Sequence, residues 1–247
     1  MFSGMPTADK RPLRYEPLEA LPIIRPVDRI KYIAAACAGL CVLDLGAMDE
    51  TAWNSKRGQG VWLHEEIARS ARQVYGIDNS EMIPAAGLAT GANATIRRGD
   101  ITDPQRLLAE LDQVPDIVVA GEIIEHLENP LEFLRNLARS KTLSGKTLIL
   151  TTPNATAMPN VLIGLARRES AHPDHLCIFS YKTLTTICRR AGFSGWEIVP
   201  YYSRFTEMKL RHSGLSRMAI RAAESAVNRL EWLFPALSFG YIVRAVI

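Results

Sequence analysis

DIVVAGEIIEHLENPLEFLRNLARS, residues 116–140, holds a whole structural unit in one stretch. Asp116–Ala120 is a near-continuous apolar run, too short for a helix and rich in valine, which predicts a strand buried on both faces. Gly121 ends it. Pro130 then opens an amphipathic helix over residues 130–140, proline being suited to a first helical turn. Between strand and helix stand Glu122, Glu125 and His126, an unusual load for a turn. Taken as helix, the spacing i, i+3, i+4 puts all three on one face. Such a point could hold a metal, move a proton or be plain surface.

The same strand-then-helix unit recurs on both sides. CVLDLG (41–46), QVYGID (73–78), ATIRRGD (94–100), KTLILTT (146–152), WEIVPYY (196–202) and FGYIVRAV (239–246) read as further strands. Helices are predicted at 26–39, 60–72, 80–88, 104–112 and 180–192, the last closed by Gly192. Apolar strands alternating with helices argue an α/β fold: a doubly wound, seven-stranded, mostly parallel sheet covered by helices on both faces. A helical insertion, 206–235, precedes the last strand. Residues 26–247 are expected to form one domain, and the proline-rich, aperiodic residues 1–25 a flexible N-terminal segment.

Composition sets bounds on function. Of 247 residues, 47% are hydrophobic and 22% charged, the profile of a globular chain with room for a core. A formal charge of +3 is too weak to argue nucleic-acid binding without a concentrated basic face. Cys37, Cys41, Cys177 and Cys188 form no C-x-x-C pair, which suggests a reducing compartment, the cytoplasm, rather than a disulfide framework. The first residues show no continuous apolar segment, so no signal peptide is expected. The C-terminal apolar stretch is broken by Pro235, Gly240 and Arg244 and does not read as a membrane span.

Ligands of such sheets bind beyond the carboxyl ends of the strands. There the sequence places Asp44 before Gly46, Asp78 before Asn79, Asp100 after Gly99, and Glu122 after Gly121. One aspartate after a strand is ordinarily a helix cap. Acids at four strand ends are a different matter: they would repel a pyrophosphate and welcome a cation. A nicotinamide-dependent dehydrogenase is disfavoured for the same reason, since no glycine-rich phosphate loop follows the first strand.

VLDLGA (42–47), VYGIDNSEMI (74–83), RRGDITD (97–103), VVAGEIIEHLENPLEFL (118–134), LILTTPN (148–154) and DHLCIFSYKTL (174–184) together resemble the class I S-adenosylmethionine-dependent methyltransferases. The resemblance spans residues 26–247 and implies a Rossmann-like sheet and S-adenosyl-L-methionine as cofactor. It implies that Asp78, with Asn79, accepts the ribose hydroxyls, and that Asp100, with the Ile101 N–H, meets the adenine. Asp44, Leu45, Gly46, Ala47 and Met48 would lie under the methionine portion, with Gly121 and Glu122 beside it. The family's first loop usually keeps three glycines; here only Gly46 remains. Trp62 or His64 would reach over the cofactor, or serve as ordinary packing at a helix start.

Glu122-x-x-Glu125-His126 resembles the ubiquinone-pathway O-methyltransferases and the small-RNA 3′-terminal 2′-O-methyltransferases. That likeness implies a divalent metal (Mg, Mn, Fe or Zn) on Glu122, Glu125, His126 and His175, with His172 nearby in AHPDHLCIFS. A metal would acidify and position an acceptor hydroxyl. Many relatives carry a similar turn without metal, and then His126 or His175, with Glu122, becomes the natural acid–base group.

In 206–235, Leu215, Met218, Ala222, Ala226, Leu230 and Leu233 recur at helical spacing. The plainest expectation is a helix that covers the sheet edge with this apolar stripe; substrate capping and peripheral membrane contact are the alternatives. The sequence thus reads as a methyltransferase acting on an oxygen of a small-molecule acceptor: a quinone precursor, sugar or lipid-linked metabolite. RNA 3′-terminal 2′-O-methylation is the runner-up, although nucleic acid is disfavoured as a partner. An idle module of the same fold that only binds cofactor or partner is the third reading. Nothing in the sequence signals an oligomeric state.

Overall fold

The sheet that the apolar runs predict is present, with one strand more than expected. The computed structural model describes residues 20–55, 57–169 and 171–247. From the N-terminal side, α1 (Arg29–Ala36), β1 (Cys41–Leu45), α2 (Glu50–Ser55), α3 (Leu63–Ser70) and β2 (Gln73–Asp78) come first. Next are β3 (Leu88–Gly91), β4 (Ala94–Arg98), α4 (Pro104–Ala109), β5 (Ile117–Gly121), α5 (Pro130–Ala138) and β6 (Thr147–Pro153). The chain ends with α6 (Met158–Leu165), α7 (Tyr181–Ala191), β7 (Gly195–Tyr201), α8 (Thr206–Arg211), α9 (Gly214–Leu233) and β8 (Gly240–Val246). Strand order is β3-β4-β2-β1-β5-β6-β8-β7, with β3 and β8 antiparallel to their neighbours.

Alternation along each strand splits the core in two. Leu43, Leu45, Val118, Ala120, Leu148 and Leu150 face the side covered by Phe133, Leu134 and Leu137 of α5 and Leu184 and Cys188 of α7. Val42, Val74, Val119 and Ile149 face the other side, against Ile33 and Cys37 near α1 and Ile67 and Ala71 near α3. Each such leucine, isoleucine or phenylalanine contributes about 1.5–3 kcal/mol by leaving water. Both faces are covered because the strands are apolar on both, as the sequence implies. All four cysteines are free, and burial pushes the Cys37 and Cys188 thiols up to about 12, so both behave as small hydrophobes.

Three expectations need correction. Residues 80–88 form turns rather than a helix, because Pro84 and a left-handed Gly87 (φ 87°) interrupt it, and the chain emerges into the extra edge strand β3. Of the predicted flexible segment 1–25, residues 1–19 lie outside the described residues; residues 20–25 are mostly exposed but touch the folded part at two points, Ile23 on the core and the Arg25 guanidinium 4.1 Å from the Trp232 ring centroid.

The third correction concerns α9, whose orientation is the reverse of that expected. Its two buried residues are Glu224 and Glu231, while Leu215 (83% exposed), Met218 (64%) and Leu233 (54%) face outward. The acids hold it in place. Glu224 accepts from Lys209 Nζ (2.9 Å) and the Phe205 N–H (2.7 Å), and Glu231 from the Ser203 hydroxyl (2.6 Å) and N–H (3.0 Å). Polar anchoring, not the apolar stripe, fastens this helix to the sheet edge.

Candidate active site

Strand order reverses between β1 and β5, and a cleft of about 1220 Å³ opens beyond their carboxyl ends. Seven carboxylates line it against two arginines, Arg29 and Arg98. Asp44, Gly46, Ala47, Met48, Asp78, Asn79, Asp100, Ile101, Gly121 and Glu122 all line this one cleft. Leu45, grouped with them from the sequence, turns its side chain into the core and is fully buried.

Gly46 shows why one loop glycine is indispensable. Its φ is 71°, and a Cβ there would sit 2.0 Å from Ile123 Cδ1. Neither Met48 nor Glu50, which stand where the family keeps its other two glycines, has a positive φ, so those glycines have no conformational task here. Instead, the Met48 N–H donates to Asp78 Oδ2 (3.0 Å), while the Ser80 N–H donates to Oδ1 (2.9 Å). These bonds aim the Asp78 carboxylate, which keeps lone pairs for further donors. Burial raises its pKa above the usual value even so. Asp100, more open, is held by the Thr102 hydroxyl and N–H, which lower its pKa.

Asp44 has a partner that the sequence did not reveal. Its Oδ2 lies 2.8 Å from His64 Nδ1, both groups are buried, and His64 Nε2 meets Thr90 Oγ1 at 2.8 Å. His64 therefore orients Asp44 at the cleft wall, which it lines together with Trp62. Trp62 is likewise buried, donating to the Ala47 carbonyl at 3.1 Å.

The Glu-x-x-Glu-His segment is not an α-helix, and the predicted four-residue metal set is not assembled. Glu122 has φ 57° and only Ile124–His126 form a short 3-10 turn, so the helical face rule does not apply. Glu125 points inward, fully buried, with Oε2 accepting from the Thr152 hydroxyl (3.0 Å). Burial, then the charge of Glu122, push it up to about 8. Glu122 stays on the cleft wall, but Oε1 accepts from the Tyr201 (2.8 Å) and Thr151 (2.9 Å) hydroxyls, with Arg29 Nη1 3.6 Å away. A non-glycine residue in left-handed conformation is strained and persists because such contacts hold it.

His126, His172 and His175 do converge. Their ligating atoms lie within 4.8 Å of one another, and the His126 and His175 ring centroids are 4.6 Å apart. The backbone fastens them: the Leu176 N–H donates to the Glu125 carbonyl (2.8 Å), clamping the loop of His172 and His175 against the turn of His126. The donor set is thus three imidazoles without a carboxylate, suited to zinc or iron rather than magnesium. His175 is lowered in pKa by burial, then by His126 and His172. Sequence reasoning missed Arg29, Tyr201 and the Asp44–His64 pair, since contacts between distant strands and helices leave no local pattern.

A carboxylate-rimmed cleft at the switch point of a mostly parallel α/β sheet is the ligand position of this class of fold. Residues 23–198 match the family described as the methyltransferase domain. The chain belongs to that family. It is 28% identical over 184 residues to a probable S-adenosylmethionine-dependent methyltransferase of Mycolicibacterium smegmatis, covering 74% of this chain and 63% of that relative. The chain thus spans less than two thirds of the relative's length. Among solved structures, a SAM-dependent methyltransferase from Thermotoga maritima superposes with TM-score 0.54 at 13% identity, covering 89% of this chain and 87% of that one. One from Archaeoglobus fulgidus gives 0.51 at 19%, covering 89% and 91%. These two share the fold.

Proposed function

We propose that the chain is an S-adenosylmethionine-dependent methyltransferase that methylates an oxygen of a small molecule such as a quinone precursor, sugar or lipid-linked metabolite. One observation carries this reading: the cleft has two chemically different ends, carboxylates at Asp78 and Asp100 and imidazoles at His126, His172 and His175. Bound S-adenosylmethionine would supply a methyl group already activated on a sulfonium. Asp78, aimed by the Met48 and Ser80 N–H groups, accepts hydroxyls, and the acid rim favours the net cation. At the other end His175 is disposed to be neutral, and with His126 it can take the proton that an acceptor hydroxyl loses as the new O–C bond forms. In-line positioning by the cleft walls supplies much of the remaining rate.

The acid rim also favours a small acceptor over RNA, because a polyanion gains affinity from basic surfaces. The test is transfer of labelled methyl to catechols, sugar hydroxyls and short RNA. His175→Ala and His126→Ala are expected to lower kcat about 10²–10⁴-fold on the preferred alcohol. Full activity in chelator supports the imidazoles as proton acceptors. Loss restored by zinc, manganese or iron would replace that role with a divalent ion on the same histidines. Labelling of amines alone would overturn the oxygen assignment.

A further inference from the structure

Two helices outside the cleft present apolar side chains to solvent. α6, MPNVLIGL, has no charged residue and buries none of its side chains; Val161 (51%), Leu162 (55%) and Leu165 (80%) are exposed. On α9, whose acids face inward, Leu215, Met218, Trp232 and Leu233 are exposed, followed by Phe234. The two are joined structurally. Asn154 and Thr156, leading into α6, donate to the Ala236 carbonyl just beyond α9, at 2.9 and 2.8 Å. The chain leaving α6 runs through Leu176 and Ile178, also exposed, on the loop that brings His172 and His175 to the cleft.

The exposed charges beside these apolar groups are mostly basic, with Glu169 and Asp174 the acids on the loop after α6. Arg167 and Arg168 follow α6 directly and are exposed. Along α9 the acids are buried and paired and Arg217 is half-buried, with Nε donating to the His212 carbonyl, so the charges left toward solvent are Arg221 and Arg229. Arg221 and Arg229 share a shallow pocket with Trp232 and Tyr202. A two-fold contact between copies would set these arginines against their own kind. No helix among the described residues is long and apolar enough to cross a membrane, so contact would be along a surface.

We propose that α6 and the outer face of α9 form a docking surface for an anionic lipid bilayer, with leucines and Trp232 entering the acyl boundary and arginines meeting lipid phosphates. This places the histidine loop next to the membrane, and it stands whether or not the cleft transfers methyl to oxygen.

The test is co-sedimentation of the full chain with phosphatidylcholine vesicles, with and without about one third phosphatidylglycerol. Binding is expected to the anionic vesicles, weakening as salt rises. Arg167→Ala with Arg168→Ala is expected to weaken it about tenfold or more. Leu162→Ser with Leu165→Ser, and separately Leu215→Ser with Met218→Ser, should also reduce it while leaving the urea midpoint unchanged. Absence of binding to anionic vesicles at low salt, or binding untouched by these variants, would overturn the proposal. So would a self-association in ultracentrifugation that the same leucine variants abolish, which would make the face a contact between copies.

Discussion

Glu125 is sealed beneath the cleft, with one carboxylate oxygen on Thr152 and the other without a partner among the described residues. Its pKa, raised to about 8 by burial and by Glu122, makes folding depend on pH. Below the ordinary carboxylate range both states are protonated. Between about 4.5 and 8 the unfolded chain ionises while the native one keeps its proton, so native stability falls as pH rises through that window. Glu125→Gln removes this dependence. The variant is expected to gain about 2–3 kcal/mol on the wild type between pH 5 and 8 in urea unfolding; a constant difference across that range would contradict the buried, protonated state. His175 is shifted the other way, and its neutral form is the useful one. The acid limb of kcat/KM should therefore have a midpoint below 6.5, and a midpoint above it would show a stabilised imidazolium instead.

The orientation of α9 makes a sharp prediction for an element. Glu224→Ala removes the acceptor for Lys209 and the Phe205 N–H and is expected to cost about 1–3 kcal/mol. Leu215→Ser should stay within about 0.5 kcal/mol, whereas a core leucine at that position would cost about 2–5 kcal/mol on truncation. Urea midpoints of the two variants distinguish the cases. The stripe of Leu215, Met218 and Leu233 was legible in the sequence, but periodicity marks a face without saying which side the protein lies on. Only the acid contacts with Ser203, Phe205 and Lys209 decide it, and those cross long sequence separations. The Glu-x-x-Glu-His reading failed for a related reason. Its spacing rule assumes α-helix, and the left-handed Glu122 turns Glu125 into the core. Residues 80–88 lost their helix to Pro84 and Gly87, both visible in the sequence.

Across the whole molecule, the parallel strands and the acids at their ends were readable because they repeat: apolar run, then Asp or Gly, then helix. Repetition in sequence becomes convergence in space once the strands are parallel and in register, so that Asp44, Asp78, Asp100 and Glu122 meet in one cleft. The contacts that fix Glu122 and Asp44 in that cleft were not readable: those made by Arg29, Tyr201 and His64 join elements far apart in the chain. The central claim is that this rim holds S-adenosylmethionine through Asp78. Calorimetric titration with S-adenosylmethionine and S-adenosylhomocysteine, on wild type and Asp78→Ala, tests it most directly. One site per chain is expected, with affinity falling at least about tenfold in the variant while the fold is kept. No heat with either ligand, or equal affinity in the two proteins, would contradict it.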